Sequence, residues 1–101
     1  MSRLMVEKRL SEVSGRLKRL REDLRIAGEQ LRQLADEADE ARLRAIVADS
    51  PAASSEHRAA QRHADAMTRH RNDVVAEIQK LERTQDELLD KLLEAGAGSG
   101  S

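Results

Sequence analysis

The apolar residues of this chain recur at alternating steps of four and three, and this heptad periodicity limits its possible folds more than any other feature. Two apolar positions per heptad form the contact seam of paired helices. Two such stripes follow one another, so we predict two long helices, each with one apolar face. The predicted seam positions are Val6, Leu10, Val13, Leu17, Leu20, Leu24, Ala27, Leu31, Leu34, Ala38, Ala41, Ala45 and Ala48 in the first helix, and Ala60, Ala64, Met67, Arg71, Val74, Ile78, Leu81, Gln85, Leu88 and Leu92 in the second.

The charge distribution predicts how the two helices pair. Residues 1–25 carry a net charge of +4, residues 26–56 carry −4, residues 57–71 carry +3 and residues 72–101 carry −4. An antiparallel hairpin places these opposite charges side by side, whereas a parallel pair of identical chains would stack like charges. The predicted fold class is therefore all-α: two long helices in an antiparallel coiled-coil hairpin, able to dimerise into a four-helix bundle.

Proline, serine and glycine set the predicted boundaries. Pro51 disfavours helical geometry at the residue before it, and Ser54 or Ser55 can cap the next helix. The glycine-rich end is typical of a flexible linker. Residues 1–95 are predicted to form one domain, with helix one at about 2–48, a tip at 49–54, helix two at about 55–95 and a flexible Gly/Ser tail at 96–101.

Aligning the two stripes layer for layer, around Ala52 and Ala53, predicts a specific register. It sets Leu17 opposite Leu88 across the seam. Between Ala38 and Ala64 the seam is nearly all alanine, which buries little area, so we expect the tip half to be weakly held. The predicted flanking pairs are Arg21 with Glu82, which attract, and Arg16 with Lys91, which repel.

Composition argues against several functional classes. The chain has no aromatic residue and no cysteine, and its net charge is −1. These properties argue against disulfides, thiolate metal sites and nucleic-acid binding. No apolar run is long enough for a membrane span or a secretory signal, so we expect a soluble cytoplasmic protein. We expect no enzyme, no cofactor and no small-molecule substrate, because no nucleophile–base arrangement is present. Abundant arginine and alanine fit a GC-rich bacterial genome.

Three histidines at the start of helix two raise the alternatives of a metal site or a pH-sensitive switch. They are His57, His63 and His70, opposite the acidic segment at residues 36–40. Helical metal ligands usually lie three or four residues apart, whereas His63 and His70 are seven apart. We favour solvated flanking groups, and both alternatives remain open.

Apolar and small residues outside the seam are the candidates for partner binding. Glycine inside a helix is unfavourable, and close approach of another helix would explain Gly28. We predict a non-enzymatic interaction protein that acts as a scaffold, adaptor or spacer. It is expected to self-associate as a homodimer and to bind a protein partner. The candidate partner-binding residues are Gly28, Ala35, Val75, Leu89, Leu43, Ile46 and Val47.

The predicted hairpin also resembles, in outline, the coiled-coil arms of transcript-cleavage factors, which carry acidic residues at the tip and enter the secondary channel of RNA polymerase. Asp49 and Glu56 lie near the tip of this chain. The resemblance implies an alternative function, a regulator whose tip inserts into a large machine such as RNA polymerase or the ribosome. Its candidate residues are Asp49, Ser54 and Glu56. The secreted WXG100 hairpins are excluded, because their Trp-x-Gly turn is missing.

Overall fold

The protein folds into two long helices that pack against each other as an antiparallel hairpin, and this confirms the predicted all-α hairpin. The computed structural model describes residues 2–99, with the side chains of residues 2–96. Helix α1 spans Arg3–Ala48 and helix α2 spans Pro51–Ser99. No strand occurs within residues 2–99.

The ends of α1 follow local chemistry. Ser2 caps its start: the Ser2 hydroxyl accepts the Met5 N–H at 3.2 Å, and the Ser2 carbonyl accepts the Val6 N–H at 3.0 Å. These bonds satisfy donors that the first turn of a helix leaves without an intrahelical acceptor. At the other end α1 stops at Ala48, as predicted.

The connection between the helices is shorter than predicted. It consists of residues 49–50, whereas the sequence predicted a tip at 49–54 and a second helix beginning at about 55. Asp49 adopts a left-handed backbone conformation with φ of 46°, and its N–H bonds to the Ala45 carbonyl at 3.1 Å. A residue in this conformation ends a helix and reverses the chain without further residues.

Ser50, and neither Ser54 nor Ser55, caps α2. Its hydroxyl accepts the Ala53 N–H at 3.2 Å, and its carbonyl accepts the Ser54 N–H at 3.1 Å. Pro51 follows as the first helical residue, where its missing N–H costs nothing and its fixed φ suits the helix. The Ser-Pro pair both ends α1 and starts the next helix, and this is why the predicted tip was too long.

The carboxyl end of α2 also extends beyond its predicted limit. The helix continues through residues 96–99, where a flexible tail was predicted, and the last two residues of that tail lie outside the described residues. Alanine is the strongest helix former, and no proline follows to stop the helix. Gly96 keeps a negative φ, so it does not act as a left-handed terminator.

The chain divides into two compact units. Unit 1 combines the chain up to Asp23 with the chain from Val74 onward, and unit 2 is Leu24–Asp73. Within residues 2–96, every buried hydrophobic residue occupies a predicted seam position. The core of unit 1 consists of Val6, Val13, Leu17, Leu20, Val74, Ile78 and Leu88, and that of unit 2 of Ala27, Ala38, Ala41 and Ala64. The buried residues nearest the turn are alanines, at predicted alanine positions of the seam, whereas the seam residues Leu24, Leu31, Leu34 and Met67 of the same unit are half-buried.

Polar side-chain contacts between α1 and α2 within unit 1 define how the helices pair. The predicted pair Arg21–Glu82 is confirmed. The predicted approach of Arg16 to Lys91 is wrong, because Arg16 forms an ion pair with Glu77. The contacts are Arg16 Nη2 to Glu77 Oε1 at 3.0 Å, Gln85 Nε2 to Ser14 Oγ at 3.2 Å and Arg21 Nη2 to Glu82 Oε2 at 3.6 Å.

These contacts correct the predicted register by one heptad. In the predicted register, Arg16 and Glu77 would lie roughly 18 Å apart along the helix axis at 1.5 Å per residue, which is beyond their reach. A shift of α2 by seven residues brings each contacting pair within about 8 Å along the axis and returns every seam residue to the seam. Leu17 then lies level with Leu81, where Leu88 was predicted. The shift follows from the turn, which falls at residues 49–50 and not at 52–53.

Candidate interaction surface

An exposed apolar cluster lies at the carboxyl end of α1, within unit 2. Leu43 is 56% exposed, Ile46 is 65% exposed and Val47 is 85% exposed. Their spacing of three and four residues places them on one face of the helix, and the seam positions Ala41 and Ala45 lie outside this cluster. We call Leu43, Ile46 and Val47 the tip patch. The sequence placed all three among the candidate partner-binding residues, and the structure brings them together.

An open groove of about 550 Å³ lies beside the tip patch, between the last turns of α1 and the first turns of α2. The two walls differ in the size of their apolar side chains, since α1 contributes leucine and valine and α2 contributes alanine. Each wall carries one charged residue. We call this the tip groove; it is lined by Leu43, Arg44, Val47 and Ala48 from α1, by Ser50 from the connection, and by Ala52, Ala53 and Glu56 from α2.

Arg44 and Glu56 are the charged residues of the tip groove. Arg44 lies in α1 and approaches Glu40 of the same helix at 4.0 Å, with both side chains more than half exposed. Such an exposed pair contributes only about 0.2–1 kcal/mol, so Arg44 remains free to turn towards another acceptor. Glu56 lies on the α2 wall and is exposed. The groove is therefore apolar along its floor, with a cation on one wall and an anion on the other.

The three predicted tip residues have different roles in the structure. Glu56 lines the tip groove, as described above. Asp49 forms the left-handed turn, and it is exposed. Ser54 is half-buried and lies inside the first turns of α2. Only Glu56 of the three predicted tip residues therefore contributes a side chain to the groove.

The sequence missed Arg44, Ala52 and Ala53 as surface residues of the groove. A long predicted tip separated the two alanines from α1. The signal that identifies them is Ser50-Pro51, because serine at the cap and proline at the first helical position predict a helix that begins at residue 51. A two-residue connection then brings the first turns of α2 next to Val47.

The remaining predicted partner-binding residues lie in different units. In unit 2, Gly28 is half-buried and Ala35 is exposed. A β-carbon added at Gly28 would meet only the Arg32 guanidinium, at 3.9 Å. Nothing described within the chain therefore requires glycine at this position. In unit 1, Val75 is half-buried and Leu89 is 44% exposed.

A second, smaller groove of about 390 Å³ lies in unit 1. Met5 and Leu88 supply its apolar surface, and charged side chains surround them. Met5 is 59% exposed, whereas Leu88 is buried. The lining residues are Met5, Lys8, Arg9, Glu12 and Leu88.

The histidines do not converge in the structure. His57 is half-buried, whereas His63 and His70 are exposed. Among the described residues, no three His, Asp or Glu side chains are grouped as ligands of a metal ion would be. Within the same part of the chain, neither helix contains a segment that is apolar enough to cross a membrane.

Comparison of the chain with family models, with curated proteins and with solved structures found no match.

Proposed function

We propose that this chain is a non-enzymatic interaction protein, a helical hairpin that works as a scaffold, adaptor or spacer by binding protein at its tip. The observation that supports this proposal most is the tip patch. Ile46 and Val47 are among the most exposed large apolar residues described. Both lie in α1 but outside its seam, so packing of the two helices does not account for their apolar character. Each such side chain contributes roughly 1.5–3 kcal/mol when an interface buries it fully.

The chemistry of the tip groove favours a protein partner over a small polar ligand. Its floor is apolar, and it is open to solvent on one side. A groove of this kind suits side chains that project from another helix, which enter it at spacings of three and four residues. The charges of Arg44 and Glu56 would then restrict which partners fit and in which orientation.

The test compares a tip variant with a matched control on the full chain. Ile46→Lys/Val47→Lys adds two charges to the tip patch, whereas Leu4→Lys/Leu93→Lys adds two charges at equally exposed leucines of unit 1. Binding to itself and to proteins of the native cell is measured by sedimentation and by capture. We expect the tip variant to lose at least about tenfold in affinity and the control to keep it. Equal binding by all three proteins, at unchanged helicity, would contradict the proposal.

A second candidate function is a regulator whose tip inserts into a large machine such as RNA polymerase or the ribosome. The observation that favours it is the position of the groove and of Asp49 at the turn itself, the part of a hairpin that enters a channel first. Asp49→Asn and Glu56→Gln remove charge while preserving shape. Under this function they abolish an effect on transcription or translation in vitro, while the melting temperature stays within a few degrees of the parent. An unaltered effect in both variants would exclude it.

A further inference from the structure

We infer that the tip groove is self-complementary and binds the tip patch of a second copy of this chain, around a two-fold axis parallel to the last turns of α1 and the first turns of α2. This inference rests on the proposed function and names its partner. In a two-fold contact, the same surface serves both copies, so every feature of one wall must suit the opposite wall of the other copy. The two walls of the tip groove satisfy this condition in charge and in size.

The charge of the walls selects this particular symmetry. Arg44 stands on the α1 wall and Glu56 on the α2 wall. A two-fold axis along the helices places α1 of one copy over α2 of the other, so the arginine of each copy meets the glutamate of the other copy, and two ion pairs form. A two-fold axis across the helices would place α1 over α1 and bring the two arginines together, which is repulsive. Glu40, which approaches Arg44 at 4.0 Å within α1, lies outside the groove.

The sizes of the side chains agree with the same symmetry. The α1 wall presents Leu43 and Val47, which are large and exposed. The α2 wall presents Ala52 and Ala53, which leave room above the backbone. When α1 of one copy lies over α2 of the other, large side chains meet small ones on both sides of the axis, which lets the layers interlock without voids.

The small size of the surface makes the contact weak. A stable complex buries about 800 Å² on each partner, and a patch of three side chains with a short groove buries less than that. We therefore expect a dissociation constant between about 10 μM and 1 mM. Sedimentation equilibrium of the full chain is expected to show a monomer at low micromolar concentration and a dimer as the concentration approaches 1 mM.

Mixing two charge variants tests the inference directly. Arg44→Glu makes both walls of the groove acidic, and Glu56→Arg makes both walls basic. Each variant alone is expected to dimerise at least about tenfold more weakly than the parent. An equimolar mixture is expected to recover a dissociation constant within about threefold of the parent, because each acidic groove then meets a basic one. Mixing cannot repair a contact inside one chain, so recovery reports contact between copies.

The control is Arg62→Glu, which changes the same charge at an exposed residue of unit 2 that does not line the groove. It is expected to dimerise like the parent, and circular dichroism confirms that every variant is helical. A monomer up to 1 mM, or a mixture no stronger than its components, overturns the inference. So does a dimer weakened by Gly28→Ala and unaffected by the groove variants. If the Ile46→Lys/Val47→Lys variant still loses another protein partner, the proposed function survives while this inference fails.

Discussion

Ser50 holds the first turn of α2 through two acceptors, its hydroxyl and its carbonyl, and it does so one residue after the chain reverses at Asp49. The two neighbouring residues divide the work of the turn. Asp49 supplies the left-handed conformation that ends α1, which aspartate tolerates better than most residues. Ser50 then satisfies the donors at the start of α2. A connection of two residues is possible only because each one performs a separate function.

Replacement of the cap tests this division. We expect Ser50→Ala to lower the free energy of unfolding by about 1 kcal/mol, since the Ala53 N–H loses its acceptor. Ser55→Ala is the matched control, because Ser55 was the alternative predicted cap and lies exposed within α2. It is expected to leave stability within about 0.5 kcal/mol of the parent or to raise it. Urea unfolding followed by circular dichroism measures both. A larger loss of stability for Ser55→Ala than for Ser50→Ala would indicate that the cap is Ser55 and that the tip is as long as the sequence predicted.

At the scale of the helices, the structure shows no packing contact that requires the two glycines of α1 to be glycine. A β-carbon at Gly15 would meet only Arg19, at 3.7 Å, and one at Gly28 only Arg32, at 3.9 Å. Both neighbours are the mobile ends of arginine side chains on the same helix. The sequence predicted that a second helix approaches Gly28, and that prediction is separate from the folding of the hairpin itself.

Alanine substitutions separate the two questions. Gly15→Ala and Gly28→Ala are each expected to raise the free energy of unfolding by about 0.5–1 kcal/mol, because alanine favours the helix and restricts the unfolded chain. Thermal and urea unfolding at low micromolar concentration, where the chain is expected to be monomeric, provide the measurement. A loss of stability at Gly28 alone under these conditions would reveal a steric neighbour that the structure does not contain.

At the scale of the whole hairpin, the periodicity of the sequence determined which residues are buried. It did not determine which residues of α1 and α2 lie at the same height along the hairpin. Every buried residue in the part of the chain whose side chains are described was predicted, because burial depends only on the phase of the heptad. The register was off by one heptad, because a shift of seven residues returns every apolar position to the seam. Only the turn distinguishes these registers, and Ser50-Pro51 carried that information. Of the residues that line the tip groove, Leu43, Val47 and Glu56 were predicted as interaction candidates. Arg44 and the two alanines of α2 could be recognised as lining residues only once the position of the turn was known.

A double-mutant cycle distinguishes the two registers. Arg16→Ala and Glu77→Ala are expected to show a favourable coupling of about 0.2–1 kcal/mol, which is typical of an exposed ion pair. Arg16→Ala and Lys91→Ala are expected to show no coupling above the experimental error. Unfolding in low salt gives the four free energies for each cycle. Coupling in the second cycle and none in the first would support the register that the structure excludes.

The alanine seam near the turn, where Ala38, Ala41 and Ala64 are buried, has a consequence for the order in which the hairpin folds. Contacts near the turn close loops of about 8 residues and contacts in unit 1 close loops of about 70, yet the difference in closure entropy is only about 2 kcal/mol. One fully buried leucine offsets that difference. We therefore predict that pairing starts in unit 1, far from the turn, and spreads towards it. Pulse-labelled hydrogen exchange should protect amides at 13–20 before those at 38–48, and the opposite order would disprove it. Here the contacts closest in sequence form last, against the usual preference for local contacts in folding.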